Sequence, residues 1–310
     1  MSSDFQNTAI DTARRLPYPA LAQAVVDLLN DASVVVPPRL VLPLPGGGSL
    51  FVMPAHDDRV AMTKLITFTP SNGARGLPSI QGDVVVLDVA TGRRLCLLDG
   101  PTVTARRTAA VSLLAAQRLA PRPGGRMLIV GAGVQGRAHL EAFAAGLGVT
   151  EVWVASRSVH SAQALVAHAQ GLGLAAQVVT DPDAALRHCP LVVTCTPARG
   201  VVLSASPGPE HFVAAVGAFT PQMVELSPGL CRHVAAQGHV VVDTGDACHE
   251  AGDLLQAGLD VAALPTLAQV VQGQWAPQGG GPVLFKSCGW AGWDLAAARL
   301  AADDIPLSSG

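Results

Sequence analysis

Three groups of residues in this sequence have types and spacings that chemistry can use. The first is Gly131-Ala132-Gly133-Val134-Gln135-Gly136, which follows the apolar run RMLIV directly and opens a helix-patterned segment. Glycines there permit a tight turn and bring backbone amides up to a pyrophosphate, which then rests on the positive end of the helix. A lone glycine pattern is weak, but a strand before it, a helix after it and a second strand, EVWVA, point to dinucleotide binding. That second strand ends on Ser156-Arg157-Ser158, where an NAD enzyme places a carboxylate for the ribose hydroxyls. A guanidinium flanked by hydroxyls suits a 2′-phosphate, so NADPH is expected ahead of NADH, which stays possible. The plainer alternative is an exposed loop arginine.

The other two groups are cationic. Arg106 and Arg107 fall, by pattern, in the first turn of a helix starting near Thr104. The helix dipole disfavours cations there by about 0.3 to 1 kcal/mol, a conflict that a bound carboxylate would remove. Two surface arginines beyond the dipole's reach remain the alternative. In MTKLI, Lys64 shares a strand face with Met62 and Ile66, so it either snorkels at an edge or points into a site. Arg39, in VPPRLVLP, poses the same choice.

These residues need elements to hold them. The first third alternates a helix, ALAQAVVDLLNDA, with β-rich runs (VVVPPRLVLPL, SLFVMPAH, RVAMTKLITF) and a hairpin-like DVVVLDVATGRRLCLLDG, which reads as an α+β half. After the cluster PRPGG at Pro121 to Gly125, strand and helix alternate at the spacing of parallel crossover units. The fold class expected is therefore α/β: a Rossmann-type doubly wound parallel sheet at 121–281, with an α+β substrate-binding and dimerisation domain made of 1–120 and 282–310. The last segment is read as a short strand or turn and an amphipathic helix that returns to the first domain.

Composition narrows the function. With 49% apolar and 14% charged residues, the chain hides much surface, and a subunit contact is plausible. A net charge of -3 without any basic run leaves no footprint for a nucleic acid. No apolar stretch approaches the roughly 20 residues of a membrane span, and the polar N-terminus MSSDFQNTAIDTARR does not read as a signal peptide, so a cytoplasmic protein is expected. The six cysteines form no Cys-x-x-Cys pair and read as reduced, and no histidine or cysteine spacing suggests a metal site.

Together the pieces resemble the ornithine cyclodeaminase/mu-crystallin family. The resemblance runs from about Arg39 to the C-terminal helix, through VPPRLVLP, FVMPAH, AMTKLITF, GLPS, TARRTAAVSLLA, GAGVQG, AVGAFTPQMVEL, DTGDACHEAGDLL and FKSCGWAGWDLAAA. It implies a homodimer. It also implies that Arg39, Lys64 and Arg107 form a substrate-carboxylate cluster, and that Ser79, Thr108, Thr196, Val216 and Ser287 join the glycine turn as cofactor contacts.

Two departures from the family pattern indicate the reaction. In the cyclodeaminases a catalytic Asp stands where this chain has Phe219, and a Glu for the distal amine stands where it has Phe51. Without those acids, nothing manages protons during ammonia loss or balances an extended diamine. A cyclic ketimine acid brings its own electrophilic C=N bond, so the pocket need only position it for hydride transfer. The resemblance therefore turns toward the reductase branch, which reduces Δ1-pyrroline-2-carboxylate and Δ1-piperideine-2-carboxylate, with Phe51 and Phe219 as walls for a small ring. An alanine-type dehydrogenase, a cyclodeaminase and a noncatalytic dinucleotide-dependent binding protein are the alternatives. Three cations around an iminium demand a balancing acid; Glu225, Asp243 and Glu250 are candidates without an assigned role.

Overall fold

A computed structural model describes residues 8–197, 199–303 and 305. The stretch 1–7, at the start of the polar N-terminus, and 306–310, at the end of the expected C-terminal return, lie outside the described residues. The chain divides into two compact units, Met1–Arg107 with Trp290–Gly310, and Thr108–Gly289.

The first unit is built on five antiparallel strands that neighbour one another in chain order: β1 Leu40–Leu44, β2 Gly48–His56, β3 Val60–Phe68, β4 Ile80–Asp88 and β5 Arg94–Asp99. Burial in β3 alternates as a half-covered sheet requires: Val60, Met62 and Lys64 face inward, while Ala61, Thr63 and Leu65 are less covered. The register sets Lys64 between Met53 of β2 and Val84 of β4. The helix Ala291–Ala302 packs on β2, β3 and β4 and against the helix Tyr18–Leu29. The latter buries Tyr18, Leu21, Ala22, Val25 and Leu28, one face at helical spacing.

Among the described residues the second unit carries nine strands: β6 Gly125–Val130, β7 Val149–Ala155, β8 Ala175–Val178, β9 Leu191–Thr194, β10 Arg199–Leu203, β11 Phe212–Ala215, β12 Val224–Leu226, β13 His239–Val242 and β14 Val283–Lys286. Seven of them form one sheet in the order β13-β14-β11-β9-β6-β7-β8, and β10 pairs with β12 in a separate ribbon that the sequence pattern does not announce. Every pairing in the large sheet is parallel. The fully buried runs Met127–Val130, Leu191–Thr194 and Phe212–Ala215 are what a sheet covered on both faces needs. From β6 the chain steps outward through β7 and β8, then resumes on the other side at β9. The carboxyl ends of β6 and β9 thus flank the switch point where such sheets bind ligands.

Two details differ from the pattern-based division. The split between the units falls inside the helix Gly100–Leu119 rather than at Pro121–Gly125. That helix buries side chains along its length, from Val103 through Ala109 to Leu119, so its end is not where packing changes hands. The strand expected to leave with the C-terminal segment is instead β14, an interior member of the parallel sheet, as its unbroken buried run VLFK suits. The second unit therefore extends to Gly289, and the return to the first begins at Trp290.

Candidate active site

The glycine turn lies between β6 and the helix Val134–Leu147, for which Gly133 is the N-cap. At Gly131, with φ 118°, a Cβ would come within 2.8 Å of the Cys195 carbonyl oxygen; at Gly136 it would lie 2.1 Å from the Gly131 carbonyl oxygen. Neither position admits a side chain. Around Gly133 a Cβ would meet nothing within 4 Å, because this glycine faces a cleft of about 530 Å³. Gly131, Gly133, Ser156, Arg157, Ser158 and Thr196 all line that cleft, and none of its described lining residues is a carboxylate. A backbone cradle backed by a helix N-terminus, with a guanidinium and hydroxyls alongside, fits a dinucleotide phosphate. Ser158 also caps the helix Val159–Gly171, accepting from Ser161 N at 3.2 Å. Val134 is exposed, Gln135 half-buried and Gly136 buried at the start of their helix.

Two of the hydroxyls expected to touch cofactor, Thr196 and Ser287, are already bonded to buried acids. Glu225 Oε1 accepts from Thr196 N at 2.6 Å and Thr196 Oγ1 at 2.9 Å, while Oε2 accepts from Gly217 N at 2.7 Å and Ala218 N at 3.2 Å. Glu225 thereby ties the end of β9 to the turn after β11, which carries Val216 and half-exposed Phe219. Asp253 supports it: Oδ1 accepts from Glu225 N and Leu226 N at 2.6 and 2.9 Å, and Oδ2 lies 2.8 Å from Lys286 Nζ. Lys286 in turn donates to the Ala218 carbonyl at 2.6 Å. Burial opposes the Lys286 charge, but Asp253, the Cys288 side chain and Glu225 outweigh it and hold its pKa above the ordinary lysine value. Burial also lifts Glu225, against the pull of Lys286 and of the bonds from Thr196. Asp243 Oδ2 accepts from Ser287 Oγ, Cys288 N and Gly289 N, at 2.8, 2.9 and 2.8 Å, and so shapes the turn after β14.

The cationic residues meet in the first unit. Lys64 Nζ donates to Asp294 Oδ2 at 2.7 Å, and Arg107 Nε stands 3.3 Å from Asp294 Oδ1, with all three side chains buried. The Lys64 pKa falls to about 8: burial is the largest cause, Asp294 opposes it, and Arg107 and then Arg39 add to the fall. Arg39 is thus close enough to be felt, although exposed just before β1. Phe51, opposite Ile66 in the β2–β3 register, points to the same sheet face as Met53 and Lys64. Ser79 is half-buried in the loop before β4, and Thr108 is buried in the helix that carries Arg107.

Two corrections to the sequence reading follow. The helix begins at Gly100, with Pro101 in its first turn, so Arg106 and Arg107 sit in the second turn, where the dipole argument loses its force. Arg107 reaches the candidate site because it is buried against Asp294, whereas Arg106 is structural: its Nε donates to the Leu16 carbonyl at 2.7 Å and its guanidinium stacks 3.8 Å over the Tyr18 ring. Moreover, the acid beside the cations is none of Glu225, Asp243 and Glu250, which all belong to the second unit. It is Asp294, and its signal in the sequence is a lone carboxylate inside an otherwise apolar helix start, WAGWDLAAA.

The chain matches known proteins over nearly its whole length. The model of the ornithine cyclodeaminase/mu-crystallin family matches residues 7–308. Delta(1)-pyrroline-2-carboxylate reductase 1 of Burkholderia multivorans is 40% identical over 302 residues, covering 96% of this chain and 94% of its own. The Delta(1)-pyrroline-2-carboxylate/Delta(1)-piperideine-2-carboxylate reductase of Azospirillum brasilense is 42% identical over 306 residues, with coverages of 96% and 94%. In fold, the chain is similar to the solved structure of Thermococcus litoralis Delta(1)-pyrroline-2-carboxylate reductase in complex with NADH and L-proline. The TM-score is 0.82 at 24% identity, over 96% of this chain and 93% of that one.

Proposed function

The chain belongs to the ornithine cyclodeaminase/mu-crystallin family, and from that premise we propose that it is an NADPH-preferring reductase of small cyclic imine acids. It converts Δ1-pyrroline-2-carboxylate to L-proline and, with the wider ring, Δ1-piperideine-2-carboxylate to L-pipecolate. The relative at 40% identity is named for reduction of the first substrate and that at 42% for reduction of both. The observation that carries the reading is the Lys64–Asp294–Arg107 cluster, with Phe51 on the same sheet face.

The glycine turn and Arg157 would hold the dinucleotide, which would supply the hydride that C2 of the ring needs. Arg107 and Arg39 hold the substrate carboxylate, each charge-assisted bond contributing about 1.5 to 3 kcal/mol. Lys64 gives a proton to the ring nitrogen, so that C=N, hydride and proton become CH–NH with atoms and charge balanced. An ammonium with a pKa of about 8 is matched to that task near neutrality. Phe51 offers a ring an apolar wall and, like Phe219, contributes no acid that a deamination would need.

Arg157, with Ser156, takes the 2′-phosphate of NADPH. The reading extends to a cytoplasmic homodimer. All six cysteines are unpaired thiols, and the exposed Leu40, Leu42 and Leu65 share the outer face of the sheet across β2, a surface of the kind a subunit contact covers. No helix among the described residues is long and apolar enough to cross a membrane.

One spectrophotometric assay tests the reaction. NADPH oxidation with the cyclic imine acid alone is the expected result. Oxidation that requires ammonium and an open-chain keto acid would replace this reading with an amino-acid dehydrogenase, and ammonia release from ornithine with a cyclodeaminase.

A further inference from the structure

Asp294 has no part in the carboxylate grip or the hydride transfer described so far. Yet its carboxylate is wholly buried at the start of a helix whose neighbouring residues, Trp293, Leu295, Ala296, Ala297 and Ala298, are equally buried and apolar. An ionised carboxyl in such surroundings is costly unless each oxygen is paired. Here one oxygen accepts a hydrogen bond from Lys64, and the other stands in an ion pair 3.3 Å from Arg107 Nε without a hydrogen bond among the described residues.

We propose that Asp294 is a positioning residue of the reduction, holding the Lys64 ammonium in place and charged so that it can protonate the ring nitrogen, and aligning Arg107 for the substrate carboxylate. This rests on the proposed imine reduction.

The charge count supports it. Lys64, Arg107 and Arg39 bring three positive charges to the site and Asp294 removes one; the substrate carboxylate removes a second, leaving a net single positive charge. Without Asp294 the site would hold two, and the proton on Lys64 is the easiest to lose. The groups acting on Lys64 come from three elements: Asp294 from the C-terminal helix, Arg107 from the helix Gly100–Leu119, and Arg39 from the approach to β1. Its strand partners, Met53 and Val84, bring no charge. Burial and both arginines pull toward the neutral amine, and Asp294 alone opposes them.

The test is the pH profile of kcat/KM for the cyclic imine acid. Wild-type enzyme is expected to lose activity on a basic limb near pH 8, where Lys64 deprotonates. In Asp294→Asn the limb should move to lower pH by about 1 to 3 units, the usual effect of removing an adjacent opposite charge. Asp294→Glu should move it back. A limb that stays in place would show that Asp294 merely fills space.

Should the Asn variant fail to fold, Lys64→Met is compared with the double variant Lys64→Met, Asp294→Leu, in which the buried pair is replaced by apolar groups that such sites usually tolerate. If Asp294 acts on the chemical step through Lys64, the two have the same kcat within about threefold, with only KM rising as Arg107 loses its alignment; a further loss of kcat in the double variant overturns the proposal. Wild-type protein that ignores the imine acid would sink the proposed function, whereas turnover with an unmoved limb sinks only this inference.

Discussion

Each unit of this protein buries a lysine with an aspartate less than 3 Å away, and the two pairs behave in opposite ways. Lys286 lies among Asp253, Glu225 and the Cys288 side chain, and its pKa is held above the ordinary lysine value. Lys64 has Asp294 but also Arg107 and Arg39, and its pKa falls to about 8. The local pair is nearly the same; the surrounding charge decides. A buried lysine outnumbered by acids is a fixed cation that organises backbone, here the Ala218 carbonyl and, through Asp253, the strand of Glu225. Outnumbered by cations, it becomes a group that titrates where an enzyme works.

The sharpest way to break the comparison is to exchange each lysine for methionine. Lys64→Met should lower kcat by about 10² to 10⁴ at neutral pH and abolish the basic limb, the range expected on losing a general acid. Measured turnover within threefold of wild type would return Lys64 to a binding role. Lys286→Met should act on stability instead, because Asp253 and Glu225 would be left buried without their counter-ion. Denaturant unfolding should show a loss of about 3 to 5 kcal/mol, while the limb near pH 8 stays in any protein that folds. Arg107→Ala should raise KM for the imine acid more than tenfold with a smaller change in kcat, and an unchanged KM would remove Arg107 from the carboxylate grip. Smallest in total activity is Arg157→Asp, which should shift the preference from NADPH toward NADH; if the ratio of the two kcat/KM values holds, the 2′-phosphate contact lies elsewhere.

The two sites differ in how readable they are from sequence. The glycine turn is a local feature: strand, turn and helix are contiguous, and Gly131 and Gly136 each answer to one steric demand within a few residues or across one strand. It was therefore legible from GAGVQG and its flanks. The cationic cluster is assembled from residues far apart in the chain, and pattern alone left Lys64 and Arg39 undecided between a site and a snorkelling edge. Arg107 was expected to meet an anion for a reason that fails, since Gly100 and Pro101 start the helix earlier than the apolar pattern suggests. Asp294 was missed because an acid in the first turn of a helix usually complements the dipole at the surface, and only tertiary packing places this one inside. Glu225 and Asp243 are acids of another kind, spent on backbone amides that no sequence spacing identifies.

The place of β14 in the second sheet has a consequence for how the chain is made. This strand is the last of its sheet to be synthesised, yet it sits between β11 and β13. Until residue 286 has left the ribosome, those two strands lack the neighbour they share, and the sheet holds an open slot one strand in from its edge. A stop codon just before Val283 would remove an interior plank rather than an end, and the product is expected to be a substrate for proteases and chaperones rather than a shortened enzyme.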